Sequence, residues 1–466
     1  MNKAITILSS VILLFIFSCK KESFITSKDA RLNLSVDSLK FDTVFTTTGS
    51  VTQFFKIKND NNQKLHVDRV TLKGGTASFF KINVDGFVGP DVKDIDIEAN
   101  DSIYVFVSVS INQNADQIPF IISDSIQVVY NGNDRFVQLE AWGQNAHFLR
   151  NRKLTGNTTW KNDLPYVILG GLQIDTTAVL TIDKGCRIYL HADAPLIVDG
   201  TLEVLGERFD STRVYFQGDR LDVPYSDYPA AWPGIFFRGA SKNSIIQYAV
   251  IRNAYQGIIA EQGSVNGGPK VQLDQCIIDN IYDVGIYAIQ SDLQVRNCLI
   301  SNCGKNVVLG YGGKYEFTNC TVVAVSNNYI VHKDPALLVT NNIKQNNVIL
   351  TADLYAVFTN CIFWGENGSA EDEVVVSKQG TNPYLVQFSN CLWKVKNNPS
   401  NVTASNIIAN QNPAFDSINV EKKIYNFRLK SSSPAINKGI VTGLSFDLDG
   451  NPRNIGLPDM GSYERQ

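Results

Sequence analysis

The sequence predicts an all-β protein in two parts, an antiparallel β-sandwich followed by a solenoid of short parallel strands. From about Leu32 to Gln144 apolar and polar residues alternate, and strict alternation indicates strands with one buried face. From about Leu172 to Asn397 a phrase of one polar residue, a cysteine and two or three apolar residues keeps returning. Its period near 22 residues predicts structural repeats that bury their apolar faces by stacking on one another.

The composition is that of a folded protein without a strong charge bias. The chain has 466 residues, of which 44% are hydrophobic and 19% are charged. Its 42 basic and 45 acidic residues give a net charge of −3, so the charge balance does not indicate nucleic acid as a partner. No phosphate-cradling loop or nucleophile elbow is present in the sequence, and we expect no cofactor.

The first residues have the pattern of a segment that directs export. Lys3 precedes an apolar run of 13 residues that ends at Phe17 and is too short to span a bilayer comfortably. Ser18 and Cys19 follow, and a small residue directly before a cysteine resembles the lipobox of bacterial lipoproteins. The resemblance implies lipid attachment at Cys19. It implies a lipoprotein of the cell envelope, anchored to the outer membrane and facing either the periplasm or the exterior.

The sandwich region contains about seven short predicted strands, which turn clusters separate. Between Ile103 and Ile111 every second residue is aliphatic. The phrases from Phe41 to Phe45 and from Phe54 to Asn59 resemble immunoglobulin-like modules of bacterial surface lipoproteins. The region has no cysteine, so we expect no inter-sheet disulfide. A role as a spacer is favoured over ligand binding.

The solenoid region carries the phrases of a known architecture. The stretches Val179 to Tyr189 and Leu196 to Val204 resemble the opening coils of right-handed parallel β-helix proteins, the pectate-lyase-like architecture. The resemblance implies roughly eleven to thirteen coils at the observed period. The stretch from Leu154 to Ile168 is predicted to cap the N-terminal end. Three final phrases between Ser433 and Glu464 resemble the closing motif of bacterial β-helix proteins, which implies a C-terminal cap.

The recurring cysteines predict a ladder inside the solenoid. Cysteine packs as a small hydrophobe, so we expect buried, free thiols rather than disulfides. The residue before each cysteine is expected at a turn, where side-chain amides can hydrogen-bond along the axis. The repeated cysteines are Cys276, Cys298, Cys320, Cys361 and Cys391, and the residues before them are Gln275, Asn297, Asn319, Asn360 and Asn390.

The longest early break in the solenoid pattern runs from Asp219 to Pro233 and is rich in aromatic residues. Tyr225, Tyr228 and Trp232 are candidate ligand-binding residues there, because aromatic rings stack on sugar rings. The alternative for Trp232 is that its ring covers an edge of the core, and the sequence favours this alternative.

Catalysis would need several ionisable groups in one groove, and the sequence matches no catalytic motif. Aligning the repeats places Asp279, Ser301 and Val323 in one column, which loses its charge after the first of these coils. We therefore expect no lyase or glycosidase turnover on that face. If the protein were such an enzyme, the candidates would be Arg238, Lys242, Arg252, Glu261, Asp274 and Asp279.

Metal-binding patterns are weak. The four histidines are scattered and none stands in an H-E-x-x-H motif. The segment from Asp447 to Asn451 lacks ligands of a calcium loop, and a structural turn is favoured. A pairing of Asp449 with Arg453 is a further expectation.

The sequence thus predicts an exported, lipid-anchored binding or structural module at the cell envelope, with polysaccharide as a candidate partner and no catalytic residue assigned. A polysaccharide lyase or glycosidase and an adhesin-like protein-binding module are the alternatives. The predicted boundaries are 1–18 for the lipoprotein signal peptide, 19–31 for a tether, 32–147 for the immunoglobulin-like sandwich, 148–445 for the β-helix and 446–466 for the cap.

Overall fold

The computed structural model describes residues 23–45, 52–110, 120–453 and 455–466. The predicted signal peptide and Cys19 lie outside these residues. The chain divides into two compact units, Met1–Asn145 and Ala146–Gln466. Among the described residues, no helix is long and apolar enough to cross a membrane.

The first unit is a two-sheet sandwich, as predicted. One sheet has the order β1-β5-β10-β11-β3 with β8 on β5, and the other has the order β2-β4-β9-β6-β7. Most neighbours are antiparallel, but β1 pairs with β5 and β3 with β11 in parallel. The strands are β1 (Phe24–Ile25), β2 (Leu32–Leu34), β3 (Ser38–Phe45), β4 (Gln53–Asn59), β5 (Lys64–Leu72), β6 (Phe80–Val84), β7 (Phe87–Val88), β8 (Asp91–Ile97), β9 (Ser102–Val109), β10 (Phe120–Tyr130) and β11 (Asn133–Gln144).

Buried and exposed residues alternate along the strands, and this alternation accounts for the two-sheet sandwich. In β9, Ile103, Val105 and Val107 are buried between the sheets, while Tyr104 and Phe106 point outward and stay partly exposed. Burial of the aliphatic rows of both sheets in one shared core holds the two layers together.

The second unit is a right-handed parallel β-helix, which confirms the predicted fold. A hairpin of two strands branches from it, and a second hairpin follows its last coil. The strands are β12 (His147–Leu154), β13 (Thr158–Trp160), β14 (Tyr166–Ile174), β15 (Val179–Asp183), β16 (Arg187–Leu190), β17 (Leu196–Val198), β18 (Thr201–Leu205), β19 (Val214–Gly218), β20 (Ile235–Phe237), β21 (Ser244–Gln247), β22 (Ala249–Arg252), β23 (Gln256–Glu261), β24 (Val271–Asp274), β25 (Ile277–Asp279), β26 (Val284–Arg296), β27 (Leu299–Ser301), β28 (Lys305–Thr318), β29 (Thr321–Val325), β30 (Leu337–Thr340), β31 (Asn342–Gln345), β32 (Val348–Thr351), β33 (Leu354–Thr359), β34 (Ile362–Glu366), β35 (Val374–Ser377), β36 (Tyr384–Ser389), β37 (Leu392–Trp393), β38 (Thr403–Ser405), β39 (Ile408–Ala409), β40 (Phe415–Asn419) and β41 (Ile424–Leu429).

The described strands of the β-helix form three parallel ladders, and the long strands β12, β14, β26 and β28 bend from one ladder into the next. The first ladder runs β12-β14-β16-β19-β22-β25-β27-β29-β34-β37-β39. The second runs β12-β14-β17-β20-β23-β26-β28-β30-β35. The third runs β13-β15-β18-β21-β24-β26-β28-β33-β36-β38.

The interior confirms the predicted cysteine ladder. The seven cysteines within the described residues are all free and buried. The turn residues before the repeated cysteines have positive φ, for example Asn297 at 50° and Asn319 at 54°. Asparagine tolerates this left-handed conformation better than most residues do. Along the axis, Asn360 Nδ2 donates to Asn319 Oδ1 at 3.3 Å, as the amide ladder predicts.

Two predicted caps need correction in position. The stretch from Leu154 to Ile168 belongs to the regular ladders, because β12 pairs with β14 and β13 pairs with β15. Residues 446–466 lie along the flank of the solenoid rather than on its last coil alone. Asn297 Nδ2 donates to the Phe446 carbonyl at 2.8 Å, and the Gly461 amide donates to the carbonyl of Asn360 at 2.7 Å.

The reason for this lateral position is an apolar outer face on the first ladder. Leu299, Val323, Ile362 and Leu392 point outward from that ladder, and yet all four are buried. They pack against residues of the C-terminal segment 410–466, which we call the C-terminal arm, including Phe415, Phe427, Leu429, Leu448, Met460 and Tyr463. The arm therefore completes a second core that covers one side of the β-helix.

Candidate functional site

A cleft opens on the first ladder where the coils carry polar rather than apolar outer residues. Arg252, Asp279 and Ser301 occupy paired positions on three successive rungs. Each rung ends at an asparagine in the left-handed conformation, Asn280 and Asn302 being two of them. The coil period thus stacks charged and amide side chains into one polar floor.

Three segments that are distant in sequence surround this floor. They are the break from Asp219 to Pro233, the insertion 326–336 and the hairpin of β40 and β41. Two adjoining cavities of about 140 and 240 Å³ share Asp227 and Arg252 as lining residues, so they form one continuous depression. We call it the Arg252 cleft.

Two tyrosine rings, Tyr225 and Tyr329, line the cleft, and Tyr228 packs between them. The ring centroids of Tyr225 and Tyr228 are 5.2 Å apart, and those of Tyr228 and Tyr329 are 5.1 Å apart. Lys423 Nζ lies 5.5 Å from the centroid of Tyr329, and the guanidinium of Arg220 lies 3.4 Å from that of Tyr225. The three tyrosines make a contiguous aromatic wall with two cations against it.

The charges of the cleft are unevenly paired. Lys423 Nζ donates to Asp227 Oδ2 at 2.9 Å, whereas Arg252 Nη2 is 3.9 Å from Asp227 Oδ1. Arg252 Nε has no hydrogen-bond partner among the described residues. The Oδ1 atom of Asn302, a residue only 2% exposed, also lacks a partner in the described part of the chain. One donor and one acceptor are therefore left unsatisfied at the floor, and buried polar atoms rarely stay so.

The carboxyl group of Asp279 is held by its neighbours on the next rung. Ser301 Oγ donates to Asp279 Oδ1 at 2.6 Å, and Asn302 Nδ2 donates to the same atom at 3.1 Å. Burial raises the pKa of this carboxyl above its ordinary value, although these hydrogen bonds and the charge of Arg252 act in the opposite direction.

The three predicted aromatic residues differ in how far they are exposed to the cleft. Tyr225 is exposed and lines the cleft, whereas Tyr228 is partly buried and packs between Tyr225 and Tyr329 behind the lining. Trp232 does not present its ring to a ligand, because it is 1% exposed and its Nε1 donates to the Arg252 carbonyl at 2.9 Å. Its ring packs in the interior beside Ala254, so the core alternative was right for this residue.

Of the candidate acids and bases, only Arg252 and Asp279 line the cleft. Arg238 forms an ion pair with Asp199, and Asp274 pairs with Arg296 Nε at 2.5 Å. Neither pair lines the cleft, and nor do the other two candidates, Lys242 and Glu261. The predicted column of Asp279, Ser301 and Val323 is confirmed by strand pairing.

Sequence reasoning missed Asp227, Tyr329 and Lys423 as site residues. The insertion that carries Tyr329 had a signal, because the interval from Cys320 to Cys361 is nearly twice the repeat. No sequence signal pointed to Lys423, because the hairpin of β40 and β41 lacks the repeated cysteine motif of the coils. Arg252 was not placed in the aligned columns, because its coil has Ala249 where later coils have cysteine.

The calcium-like segment is a turn, as the sequence favoured. Asp447 Oδ1 accepts from the backbone amides of Asp449 and Asn451. The expected pairing of Asp449 with Arg453 is wrong: Asp449 binds Arg428 at 2.6 Å, and Arg453 binds elsewhere. Within the described residues, no group of three or more His, Cys, Asp or Glu side chains is arranged to hold a metal ion.

Fold and cleft together define a β-helix protein with a polar cleft, lined in part by tyrosine, on one flank. A family model described as "Right handed beta helix region" matches residues 233–388, which include Arg252 and Asp279. The chain has no match among curated proteins.

Solved structures resemble parts of the chain only weakly. A family 123 glycoside hydrolase from Clostridium perfringens is 13% identical with a TM-score of 0.20, over 25% of this chain and 30% of that one. The PapD-like domain of human CEP192 is 11% identical with a TM-score of 0.18, over 28% and 92%. The Salmonella enterica SafA pilin in complex with the SafB chaperone is 12% identical with a TM-score of 0.17, over 26% and 57%. This chain thus spans less than a third of the hydrolase chain, and none of these likenesses bears on function.

Proposed function

We propose that the protein binds a glycan in the Arg252 cleft and acts as a lipid-anchored binding module of the cell envelope. The observation that carries the proposal is the contiguous wall of Tyr225, Tyr228 and Tyr329 beside a floor with unsatisfied polar atoms. A site that combines aromatic faces with a few placed hydrogen-bonding groups suits a small polar ligand.

Sugar rings match this combination. A pyranose ring has an apolar face, which packs against an aromatic side chain, and an edge of hydroxyl groups, which both donate and accept. The carboxyl group of Asp279 and the amides of Asn280 and Asn302 offer partners of both kinds. The long flank of a β-helix would let further sugar units extend beyond the cleft.

The cellular setting of the proposal comes from the N-terminus. Lipid at Cys19 would hold the chain at a membrane, since more than one acyl chain anchors a protein stably. The sandwich would then act as an immunoglobulin-like spacer between the anchor and the β-helix.

The test is binding by the purified protein. A glycan array identifies the oligosaccharide with the highest signal, and calorimetry then measures its affinity for wild type and for a Tyr225→Ala, Tyr228→Ala double variant. We expect the double variant to bind at least about tenfold more weakly. Tyr355→Ala, an exposed tyrosine on the third ladder, is the matched control and should bind as wild type does. Equal affinity of wild type and double variant would remove the cleft as the glycan site.

A glycosidase or lyase is the second candidate, and Asp279 is the observation that favours it. Burial raises the pKa of this carboxyl group, as it does for the general acid of glycosidases, which pair that acid with a second carboxylate. Asp227 lies in the same cleft. The check is an assay for reducing ends and for unsaturated products with neutral and uronate-containing polysaccharides, comparing wild type with Asp279→Asn. Products that wild type forms and Asp279→Asn does not would favour the enzyme over the binding module.

A further inference from the structure

We propose that the Arg252 cleft selects glycans that carry a negative charge, and that the guanidinium of Arg252 binds the carboxylate or sulfate group. This inference rests on the proposed glycan binding and adds the class of ligand. It arises from Arg252, which lacks the two-point ion pair that neighbouring arginines form with a carboxylate.

Other arginines near this part of the solenoid are matched to carboxylates. Arg220 donates to Asp222 from Nε at 3.2 Å and from Nη2 at 2.9 Å. Arg296 donates to Asp274 from Nε at 2.5 Å and from Nη2 at 2.6 Å. Each of these two guanidinium groups donates two hydrogen bonds to one carboxylate, so its charge is neutralised without a further anion.

Arg252 has no such partner in the described structure. Its only ion pair is the contact of 3.9 Å with Asp227, whose carboxylate already accepts from Lys423 at 2.9 Å. Its Nε–H is shielded from water and unsatisfied. The Arg252 side chain as a whole is 38% exposed, so a carboxylate or a sulfate in the cleft can reach the guanidinium, whose planar donors suit such an anion.

The surroundings favour an anion that is attached to a sugar. Asn302 Oδ1, buried and unsatisfied at the same floor, can accept a hydrogen bond from a hydroxyl group. Asp279, the nearest carboxyl group along the ladder, already accepts hydrogen bonds from Ser301 and Asn302, so its Oδ1 is engaged within the floor. Lys423 adds a second positive charge on the hairpin side of the cleft.

The test compares three sets of oligosaccharides of equal length: uncharged, uronate-containing and sulfated. Calorimetry measures their binding to wild type, Arg252→Gln, Arg252→Lys and Arg150→Gln. We expect wild type to bind one of the charged sets at least about tenfold more tightly than the uncharged set. Arg252→Gln should lose that preference, and Arg252→Lys should keep part of it because it keeps the charge but not the fork. Arg150, an exposed arginine on the first coil, is the matched control and its variant should keep the full preference.

The outcomes separate the two proposals. Whether uronate or sulfate is preferred identifies the source of the charge. Equal binding of charged and uncharged sets, still sensitive to Tyr225→Ala and Tyr228→Ala, would leave the glycan site standing and overturn the charge selection. A preference that survives in a folded Arg252→Gln protein, as judged by its thermal unfolding, would also overturn it. Absence of binding to every set would overturn both proposals.

Discussion

Arg453 of the C-terminal arm donates to the side chain of Asn297, a turn residue of the β-helix 156 positions earlier. Its Nη2 and Nε lie 2.9 and 3.1 Å from Asn297 Oδ1. The guanidinium is 1% exposed and also binds Glu464 Oε2 at 3.0 Å. This buried cluster fixes the arm to the flank of the first ladder and so determines where the hairpin with Lys423 can lie.

The first prediction is that Arg453→Met destabilises the β-helix by about 3–5 kcal/mol at about pH 8, where Glu464 is ionised, because the buried carboxylate loses its ion-pair partner. Urea unfolding, followed by tyrosine and tryptophan fluorescence, measures the free energy of unfolding. Arg465→Met is the control: Arg465 is exposed, and we expect a change within about 0.5 kcal/mol. Similar values for the two variants would contradict the structural role of the cluster.

The second prediction concerns pH. Burial raises the pKa of Glu464 to about 7 in the folded protein, from 4.5. A carboxyl group with a raised folded-state pKa binds more protons folded than unfolded, so its contribution to stability is present below pH 4.5 and is lost as the pH rises through about 7. Urea midpoints should therefore fall between about pH 5 and about pH 8, and Glu464→Gln should reduce that fall. An equal fall in wild type and variant would contradict the assignment.

The covered flank shows what the sequence pattern contained and what it did not reveal. The spacing of the cysteines was enough to predict the stacked coils and the turn asparagines. No outward-facing apolar row was predicted for the residues that follow each cysteine. In fact Ile300 faces the interior while Leu299 faces the arm, and strands buried on both faces read as continuous apolar runs. Apolar residues on both faces of these strands were the sequence signal that a segment packs on the flank of the β-helix rather than only on its end.

The cleft was predictable only in part. Tyr225 and Tyr228 were found because they stand in a visible break of the repeat. Lys423 was not, because a hairpin 196 residues after Asp227 brings it there, and no local pattern encodes such a contact. Sites formed by insertions from distant coils depend on tertiary packing, which period and composition do not specify.

The third prediction concerns the thiols. Burial raises the pKa of Cys186 to about 12 and also raises that of Cys298, so neither forms the reactive thiolate near neutral pH. We expect a thiol reagent to leave the cysteines between Cys186 and Cys391 unlabelled in the native protein and to label all seven after denaturation without reductant. Peptide mass spectrometry locates the label. Native labelling of Cys298, or disulfide-linked peptides, would refute the ladder of free thiols.

The fourth prediction tests the membrane anchor, which lies outside the described residues. The apolar run that ends in Ser18 and Cys19 predicts a lipidated Cys19. Wild type should partition into the detergent phase and carry an acylated N-terminal peptide, whereas Cys19→Ala should lose both properties. A mutant that stays in the detergent phase, or an unmodified wild-type Cys19, would argue against lipid anchoring.

The fifth prediction links a buried pair to the cleft. His332 Nε2 lies 2.9 Å from Glu373 Oε1, and both side chains are almost fully buried. His332 lies in the insertion that also carries Tyr329. Glu373 lies just before β35, and its Oε2 accepts from the Ala336 amide of the insertion at 3.2 Å. Gly365 makes this packing possible, because a Cβ atom there would collide with both His332 and Glu373.

We therefore expect Gly365→Ala to displace the pair, to lower the free energy of unfolding by about 1–3 kcal/mol and to weaken glycan binding by moving Tyr329. Gly268→Ala is the matched control, since an added Cβ there meets no atom within 4 Å, and it should change neither quantity. Urea unfolding and calorimetry with the preferred oligosaccharide measure the two effects. Lower stability with unchanged affinity would mean that the pair supports the fold but does not position Tyr329, and unchanged stability would mean that the insertion accommodates the methyl group without displacing the pair.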